Sequence, residues 1–316
     1  MTETSKTILV TGGAGFIGSH LCDAFSAEGH RVLVIDNLSS GRRENLSADA
    51  ELHVLDIGDE AAADLVRTAG IDVLVHHAAQ MDVRRSTEDP VFDARTNILG
   101  TLNLVKAAVE GRVKQVIFAS SGGAIYGEQD YFPADEAHPQ RPVSPYGVSK
   151  LAGERYLYYF HVESGLDVAC MRYANVYGER QNPHGEAGVV AIFLNRLLAG
   201  EPCRINGDGE QTRDYVHVSD VVAANLAILG RKGFDTFNVG TGVETNVVTL
   251  YGMLAAAVGS TAKAEHAPAK PGEQKRSCLD SSRLRALRGT ASEMPFSAGI
   301  ERTAAWFRTD FEARRS

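Results

Sequence analysis

Short apolar runs alternate with longer segments of helical periodicity along the first half of the chain. The runs recur at residues 7–11, 31–36, 52–56, 72–76, 115–119 and 167–172. Strands that are apolar on both faces are typical of a parallel sheet that helices cover on both sides. The pattern therefore predicts an α/β fold with a doubly wound parallel sheet.

The segments between these runs predict the helices. Residues 59–69 and 90–110 have helical periodicity, and Tyr146 stands at the head of a helical segment that continues to residue 161. Strands separated by helices of this length are connected by right-handed crossovers in parallel sheets. The alternation thus supports the same architecture.

The pattern changes after Tyr177. Residues 178–185 are polar, and the later segments predict helices at 188–198 and up to 229, strands at 203–206 and 213–218, a loop at 268–273 and a closing helix around Trp306. We expect a first domain over residues 1–175, to which a segment at about 214–245 returns. Residues 176–316 would mainly form a smaller C-terminal α/β domain.

Composition excludes several classes of protein. The chain has 316 residues, 44% of them hydrophobic and 23% charged, as in soluble globular proteins. A formal net charge of -8 disfavours nucleic-acid binding, and no apolar run is long enough to span a membrane. Residues 1–6 form a short polar leader rather than a signal peptide. The four cysteines are scattered, so we expect free thiols in a reducing cytoplasm and no metal site.

A glycine-rich turn follows the first strand. Gly12, Gly15 and Gly18 stand between the run at 7–11 and an amphipathic segment, and the next strand ends in Asp36. This order of strand, glycine turn, helix, strand and acid is typical of the dinucleotide-binding unit of Rossmann-type folds. The glycines let backbone N–H groups approach a pyrophosphate at the helix N-terminus.

Asp36 also bears on the choice of cofactor. A carboxylate at this position accepts hydrogen bonds from the adenosine ribose hydroxyls and repels a 2′-phosphate, which favours NAD over NADP. Arg42 and Arg43 in the following loop are able to pair with such a phosphate. The carboxylate is nearer, so we expect NAD.

Tyr146 and Lys150 are four residues apart in the helical segment, so their side chains project from the same face. Lowering a tyrosine pKa from ~10 to ~7 takes about 4 kcal/mol. One cation at ~4 Å supplies roughly that amount at an effective dielectric constant of ~20. Lys150 is therefore able to make Tyr146 a proton acceptor at neutral pH.

Polar and small residues cluster where the predicted strands end. Asp56, residues 77–80, Ser120, Ser121 and Asn175 all follow strands of the predicted sheet. Ligands of such sheets bind beyond the carboxyl ends of the strands. We therefore expect these residues to meet the glycine turn and Tyr146 at one edge of the sheet.

Blocks of sequence in a fixed order carry a family resemblance. They are residues 11–18 (TGGAGFIG), 36–41 (DNLSSG), 77–80 (HAAQ), Ser120-Ser121 leading to 125–127 (IYG), 144–150 (SPYGVSK), 172–178 (RYANVYG) and 213–218 (RDYVHV). With these blocks the chain resembles the extended short-chain dehydrogenase/reductases of the NAD-dependent epimerase/dehydratase family. It is most similar to the nucleotide-sugar 4-epimerases that act on UDP-glucose.

The resemblance implies an isomerase that interconverts UDP-glucose and UDP-galactose. Tyr146 is then the general base and acid, Lys150 holds the nicotinamide ribose and lowers the tyrosine pKa, and Ser121 contacts the sugar hydroxyl. Hydride passes from C4 to NAD and returns on the other face of the sugar, so NAD stays bound.

The resemblance also implies two sets of binding residues. For NAD these are Gly12, Gly15, Phe16, Ile17, Gly18, Asp36, Asn37, Leu38, Ser39, Gly41, Asp56, Ile57, Ala78, Ala79, Gln80, Asn97, Ser120, Tyr146, Lys150, Tyr173 and Val176. For the UDP-sugar they are Ser121, Gly122, Gly123, Tyr146, Asn175, Gly188, Val189, Arg204, Ile205, Asn206, Arg213, Lys270, Glu273 and Ser277.

Four of these assignments leave alternatives open. The residues after Ser121 form a longer glycine segment than in some relatives, which leaves Ser120 or Ser121 as the sugar-contacting serine. Arg213, assigned to the diphosphate, equally suits a surface ion pair with Asp214 or a neighbour. Lys270 replaces a frequent arginine and loses bidentate phosphate contact. Ser277 replaces a bulky tyrosine of some epimerases, which leaves room for an N-acetyl group and motivates UDP-N-acetylhexosamines as further substrates.

Other functions are weighed against this one. A UDP-glucuronate epimerase or decarboxylase needs a basic partner for the C6 carboxylate, and Arg84, Arg85 or Arg180 would suit. A 4,6-dehydratase needs an added acid beside the serine, which residues 122–124 do not supply. A non-catalytic NAD-binding regulator has no need of Ser121, Tyr146 and Lys150 together. From the family we expect a homodimer that pairs through residues 90–110 and 146–161.

Overall fold

The computed structural model describes residues 5–48, 50–183, 188–269, 274–288 and 293–315. Its strands are β1 (Thr7–Thr11), β2 (Arg31–Ile35), β3 (Glu51–His53), β4 (Val73–His76), β5 (Gln115–Ser121), β6 (Asp167–Tyr173), β7 (Asn175–Tyr177), β8 (Cys203–Asn206), β9 (Thr212–His217), β10 (Phe234–Val239), β11 (Glu244–Asn246) and β12 (Ala264–Ala267).

The helices account for much of the remaining chain. They are α1 (Phe16–Ala27), α2 (Glu60–Thr68), α3 (Val83–Glu88), α4 (Pro90–Ala94), α5 (Gly100–Glu110), α6 (Gly122–Ile125), α7 (Pro145–Ser164), α8 (Val189–Leu198), α9 (Val218–Ile228), α10 (Val247–Val258), α11 (Ser282–Arg288) and α12 (Phe296–Ala313).

A seven-stranded parallel sheet forms the main layer. Its strand order is β10-β6-β5-β4-β1-β2-β3, and the order reverses direction along the chain between β1 and β4. The predicted doubly wound α/β fold is confirmed. A ligand is expected at such a reversal point, beyond the carboxyl ends of β1 and β4.

The apolar runs are buried on both faces of this sheet. Val10, Val34 and Ile117 belong to a core on one face, while Leu9 and Leu33 belong to a separate core on the other. Successive strand residues point to opposite faces, so an uninterrupted apolar run packs against both layers of helices. This explains why these strands carry no polar face.

Two small sheets follow. One has the order β11-β9-β7, and the other pairs β12 with β8. β10 belongs to the main sheet, and α9 packs against α1, so the chain returns to the first layer after β9. The division near residue 175, with a returning segment at about 214–245, stays a prediction.

Two predicted elements differ in detail. The run at 52–56 is a strand only at β3, which ends at His53. The segment at 90–110 is helical throughout but contains a π-helical turn, Arg95–Leu99, between α4 and α5. Such a turn holds one extra residue and is frequent at functional sites. Here it contains Asn97.

Three further observations bear on the class of protein. No helix among the described residues has the length and apolar character needed to cross a membrane. Cys22, Cys170, Cys203 and Cys278 are all buried free thiols. The same part of the chain contains no cluster of His, Cys, Asp and Glu side chains suited to a metal ion.

Candidate functional site

The glycine turn after β1 packs closely against neighbouring backbone. Gly12 has φ +68, and a Cβ there would lie 2.8 Å from the Ala78 nitrogen. A Cβ on Gly18 would overlap the Gly12 carbonyl oxygen. Only glycine fits at both positions, so α1 begins close to the end of β1 with backbone N–H groups available. This geometry fits a dinucleotide pyrophosphate at the start of α1.

Asp36 is fixed at the end of β2. Its Oδ2 accepts a hydrogen bond from the Ala14 nitrogen at 3.0 Å, and its Oδ1 accepts one from the Leu38 nitrogen at 2.8 Å. Burial raises the pKa of this carboxyl, while the two hydrogen bonds act against that rise. A Cβ on Gly41 would lie 2.8 Å from Oδ2, so glycine keeps the chain close to the carboxylate.

The neighbouring loops around Asp36 are tied together. The Asn37 amide donates to Asp56 Oδ2 at 2.8 Å, and its own oxygen accepts from the Ser39 nitrogen at 3.0 Å. Ile57 is buried and lies beneath Gly100. The structure therefore brings the predicted adenosine-side residues together, with Phe16 and Ile17 opening α1 beside them.

Residues 77–80 form the loop after β4, which we call the cofactor loop. The Gln80 nitrogen donates to Asn97 Oδ1 and the Gln80 carbonyl accepts from Asn97 Nδ2, both at 2.8 Å. The Ala78 nitrogen donates to Thr11 Oγ1 at 3.1 Å. The loop is thus held on one side by β1 and on the other by the π-helical turn.

The N-terminus of α7 places Tyr146. Pro145 is the first helical residue and has no N–H. The Gly147 nitrogen donates to Ser144 Oγ at 3.1 Å, and the Tyr146 nitrogen donates to Ser86 Oγ at 3.3 Å. The first N–H groups of the helix, which have no partner inside it, are therefore satisfied.

Lys150 lies one turn after Tyr146, with its Nζ 5.8 Å from the centroid of the tyrosine ring. The ammonium is buried and donates to the Ala119 carbonyl at 2.8 Å. Burial lowers the pKa of Lys150 to about 8, although the charge of Asp93 raises it. The structure brings this pair together at the end of β5, as the sequence predicts.

Ser120 and Ser121 point to opposite faces of β5. Ser120 is buried and donates its hydroxyl to Glu154 Oε1 at 2.6 Å. Glu154 in turn forms a buried ion pair with Arg172 at 2.6 Å. The Ser120 side chain therefore serves this ion pair, and a contact of Ser120 with NAD would come from its backbone. Ser121 lies on the opposite face.

Asn175 and Ser277 converge on Gly123. A Cβ on Gly123 would lie 3.9 Å from Asn175 Oδ1 and 4.0 Å from Ser277 Oγ. Ser277 is buried, and so is Gly122. Residues from three distant stretches of sequence thus meet beside Ser121.

The residues predicted for the diphosphate and the uridine lie further along the chain. Gly188 precedes α8, which begins at Val189, and a Cβ on Gly188 would overlap the Gln181 amide. Arg213 donates to the Thr212 carbonyl at 2.7 Å. Asp214 instead binds Thr241, Gly242 and Leu279, so the ion pair between Arg213 and Asp214 does not form.

The structure describes only some of the residues that are predicted to contact the uridine. Arg204 is exposed on β8, Ile205 is buried, and Asn206 is partly buried. Lys270 and Glu273 lie outside the described residues.

Tyr173 ends β6 and is buried. Its hydroxyl lies 2.9 Å from His77 Nε2 and accepts from Asn225 Nδ2 at 2.9 Å. Burial raises the pKa of Tyr173, so the hydroxyl stays neutral and positions its neighbours. Val176 follows on β7 and is partly buried.

Some supporting residues carry no signal in the sequence. Asp93, Ser86 and Glu154 hold the site in place but stand outside the motif blocks, while Ser149 and Arg172 lie inside such blocks without an assigned role. The contact of Ser86 with Tyr146 spans 60 residues and that of Asp93 with Ser149 spans 56. Contacts at such separation depend on the tertiary fold.

Comparisons with known proteins agree with this geometry. The sequence matches the NAD-dependent epimerase/dehydratase family over residues 8–240. A UDP-glucose 4-epimerase from Mycolicibacterium smegmatis is 46% identical over 306 residues, covering 95% of this chain and 98% of the relative.

Two solved structures are similar over nearly the whole chain. The UDP-glucose 4-epimerase of Thermotoga maritima, crystallised with UDP-glucose, has a TM-score of 0.94 and 43% identity, covering 96% of this chain and 99% of that chain. The UDP-glucose 4-epimerase of Thermus thermophilus, in complex with NAD, has a TM-score of 0.91 and 42% identity with the same coverage.

Proposed function

The chain belongs to the NAD-dependent epimerase/dehydratase family, and from this membership we infer that it is a UDP-glucose 4-epimerase. It interconverts UDP-glucose and UDP-galactose by transient oxidation at C4 of the hexose. The observation that carries this function is the placement of Tyr146 and Lys150 on α7, at the strand end that bears Ser121. A proton acceptor and a cation lie on one face of α7, and the strand end beside them bears the Ser121 hydroxyl.

The role of the protein's own side chains is to accept, hold and return the proton of the C4 hydroxyl. When bound, NAD supplies hydride acceptance and return at C4. Tyr146 takes the proton of the C4 hydroxyl as its phenolate in the oxidative half, holds it as the neutral phenol while the sugar is the 4-ketone, and gives it back in the reductive half. The charge of Lys150 favours the phenolate that accepts the proton. Ser121 hydrogen-bonds the same hydroxyl. Because the sugar must present both faces of C4, the site holds the nucleotide and lets the hexose turn.

The cofactor is NAD. The Asp36 carboxylate is fixed by two backbone N–H groups, which directs it toward a diol rather than a phosphate. Arg42 and Arg43 are exposed in the loop that follows Asp36. Lys150 makes one hydrogen bond to the described residues, which leaves N–H donors for the nicotinamide ribose.

The nucleotide is bound by the second part of the chain. We assign Asn175, Arg213 and the start of α8 to the diphosphate, because cations and unpaired helix N–H groups favour anions. Arg204, Ile205 and Asn206 are assigned to the uridine, together with Lys270 and Glu273.

Conversion without added cofactor tests this function. The purified protein is incubated with UDP-galactose, and UDP-glucose is separated by anion-exchange chromatography. We expect conversion without added NAD, since the cofactor is regenerated in every turnover and stays bound. An absence of conversion, also after NAD has been added, would contradict the proposal, and turnover confined to UDP-glucuronate would favour the alternative substrate.

Ser277 favours a second class of substrate. It is a small residue beside Gly123 and Asn175, so we propose that UDP-N-acetylhexosamines are also turned over. Ser277→Tyr should abolish turnover of the acetylated sugars and leave most of that with UDP-glucose. If the unsubstituted protein converts UDP-glucose but neither UDP-N-acetylglucosamine nor its C4 epimer, this extension fails.

We also propose a homodimer that pairs through α4, α5 and α7. α4, α7 and the π-helical turn before α5 expose large apolar side chains, which are Val91, Leu99, Val148, Tyr156, Tyr158, Tyr159 and Val162. α4 and α5 both pack against α7, and exposed apolar side chains on neighbouring helices are typical of an interface. Light scattering should give twice the chain mass, and Tyr159→Glu should shift it toward the monomer. Val243→Glu, at an exposed apolar residue elsewhere, is the control.

The compartment follows from the cysteines. We propose that the protein works in the cytoplasm, because its four thiols are free, buried and separated.

A further inference from the structure

Asp93 is a fully buried carboxylate beside the site. It lies in α4, and its side chain accepts hydrogen bonds from three side chains. Oδ1 accepts from Asn97 Nδ2 at 2.9 Å and from Gln80 Nε2 at 3.2 Å, and Oδ2 accepts from the Ser149 hydroxyl. A buried charge is costly unless it is hydrogen-bonded in this way.

The three donors belong to three different parts of the site. Gln80 ends the cofactor loop, Asn97 lies in the π-helical turn, and Ser149 precedes Lys150 on α7. One carboxylate therefore connects the segment that contacts the cofactor with the helix that carries Tyr146.

No cation among the described residues contacts Asp93 directly. Arg95 is exposed, and Arg85 on α3 lies over the ring of Phe92 at 4.0 Å. The buried cation that senses the Asp93 charge is Lys150, whose pKa it raises against the effect of burial.

Among the described residues, the other groups around Lys150, Tyr146 apart, carry no uncompensated negative charge. From β4, burial lowers the pKa of His76 and of His77 to about 3, so both are neutral. From β5, Lys150 meets the Ala119 carbonyl and the ring of Phe118. On α7, Glu154 is neutralised by Arg172, and the Tyr146 ring lies with its centroid 5.8 Å from Lys150 Nζ.

We propose that Asp93 is a positioning residue that joins the cofactor loop to α7 and, through its bond to Ser149 next to Lys150, supplies a buried negative charge for the Lys150 ammonium. This inference rests on the proposed function, in which a charged Lys150 favours the Tyr146 phenolate. Asp93 does not touch the reacting atoms. It keeps Lys150 in its ammonium form at the pH where Tyr146 must work.

The charge of Lys150 is measured directly by NMR. Lysine labelled with ¹³C at Cε reports ionisation through its chemical shift, and the Lys150 signal is identified by its loss in Lys150→Met. In Asp93→Asn the titration midpoint of Lys150 should fall by about one unit or more, because a nearby opposite charge favours the charged form. At any given pH the ratio of ammonium to amine is then at least tenfold lower. An unchanged midpoint in a folded Asp93→Asn protein would overturn the proposal.

Two variants separate charge from structure. Asp89→Asn removes an exposed carboxylate at the start of the same helix, where asparagine caps equally well, and should leave the Lys150 midpoint unchanged. Ser149→Ala removes a hydrogen bond to Asp93 but keeps the charge. It should lower the melting temperature and leave the midpoint in place. A midpoint that falls as far in Ser149→Ala as in Asp93→Asn would show a structural role only and contradict the charge assignment.

Activity provides a second readout. In Asp93→Asn the alkaline limb of the kcat profile should move to lower pH with the Lys150 midpoint, while KM for UDP-galactose changes less. Should the protein lack epimerase activity, the proposed function fails but the NMR titration still decides the role of Asp93. Should Asp93→Asn not fold, the unsubstituted protein is titrated instead. A midpoint near 8 supports the counter-charge, and a midpoint below about 6, in the range of uncompensated buried lysines, contradicts it.

Discussion

The ammonium of Lys150 is buried at the end of β5, and the Ala119 carbonyl satisfies one of its three N–H donors. The cost of this burial appears as a pKa lowered to about 8. A lysine in this state is still charged at neutral pH, and its charge acts through a medium that screens it weakly. This charge lies one helical turn from Tyr146 and favours the phenolate of that residue.

Tyr146→Phe removes the proton acceptor and keeps the ring. We expect kcat to fall roughly a hundredfold to ten-thousandfold, the range of general acid–base catalysis. NAD should still bind, because the glycine turn and Asp36 are unchanged, and ultrafiltration followed by quantification of the retained NAD measures this. A variant with near-native kcat would show that another group carries the proton.

Stability should depend on pH through Lys150. Its pKa is about 8 in the folded protein and 10.5 without the fold, so between these values the unfolded chain holds a proton that the folded chain has released. The free energy of unfolding therefore rises with pH across this window, by roughly 3 kcal/mol from this group. Urea titrations at about pH 7 and about pH 10 compare the protein with Lys150→Met.

As the pH rises, the free energy of unfolding of the unsubstituted protein should increase relative to that of Lys150→Met. Lys106→Met, at an exposed lysine, is the control and should show no such trend. A pH-independent difference for Lys150→Met would mean that Lys150 has an ordinary pKa in the folded state.

At the scale of elements, the N-terminus of α7 is held from two sides. Ser144 caps it locally, and Ser86 of α3 accepts the hydrogen bond of the Tyr146 nitrogen. Ser86 is fully buried and donates its own proton to the Val83 carbonyl at 2.7 Å. The position of the Tyr146 backbone thus depends on a short helix 60 residues earlier in the chain.

Ser86→Ala leaves the Tyr146 nitrogen without this partner. We expect a loss of about 1 kcal/mol in the free energy of unfolding, as for other helix caps, and a kcat that falls more than KM rises. Thr87→Ala is a matched control, since the Thr87 hydroxyl also donates to the Val83 carbonyl but is exposed. Equal effects of the two substitutions would contradict the role assigned to Ser86.

The sequence predicts some of these elements better than others. The glycine turn, Asp36 and the Tyr146–Lys150 spacing depend on residues that are close in sequence, so local rules suffice for them. The roles of Ser86 and Asp93 depend on contacts between helices that only the fold creates. The π-helical turn at Asn97 is likewise missed, because the periodicity of residues 90–110 predicts one uninterrupted helix.

At the scale of the whole molecule, the parallel sheet brings the site together. All seven strands run in one direction, so the residues after β1, β2, β4, β5 and β6 meet at one edge. The long apolar runs made this layer predictable. The second half of the chain was less predictable from the sequence. Its strands are short, lie in small sheets and alternate with a strand that returns to the main sheet.

Transient oxidation at C4 is the central claim, and the fate of the C4 hydrogen tests it most directly. UDP-galactose carrying deuterium at C4 is converted in ordinary water, and the product is analysed by NMR and mass spectrometry. We predict UDP-glucose that retains the deuterium at C4, because the same hydride leaves and returns within one active site. Product with hydrogen from water at C4 would contradict the account.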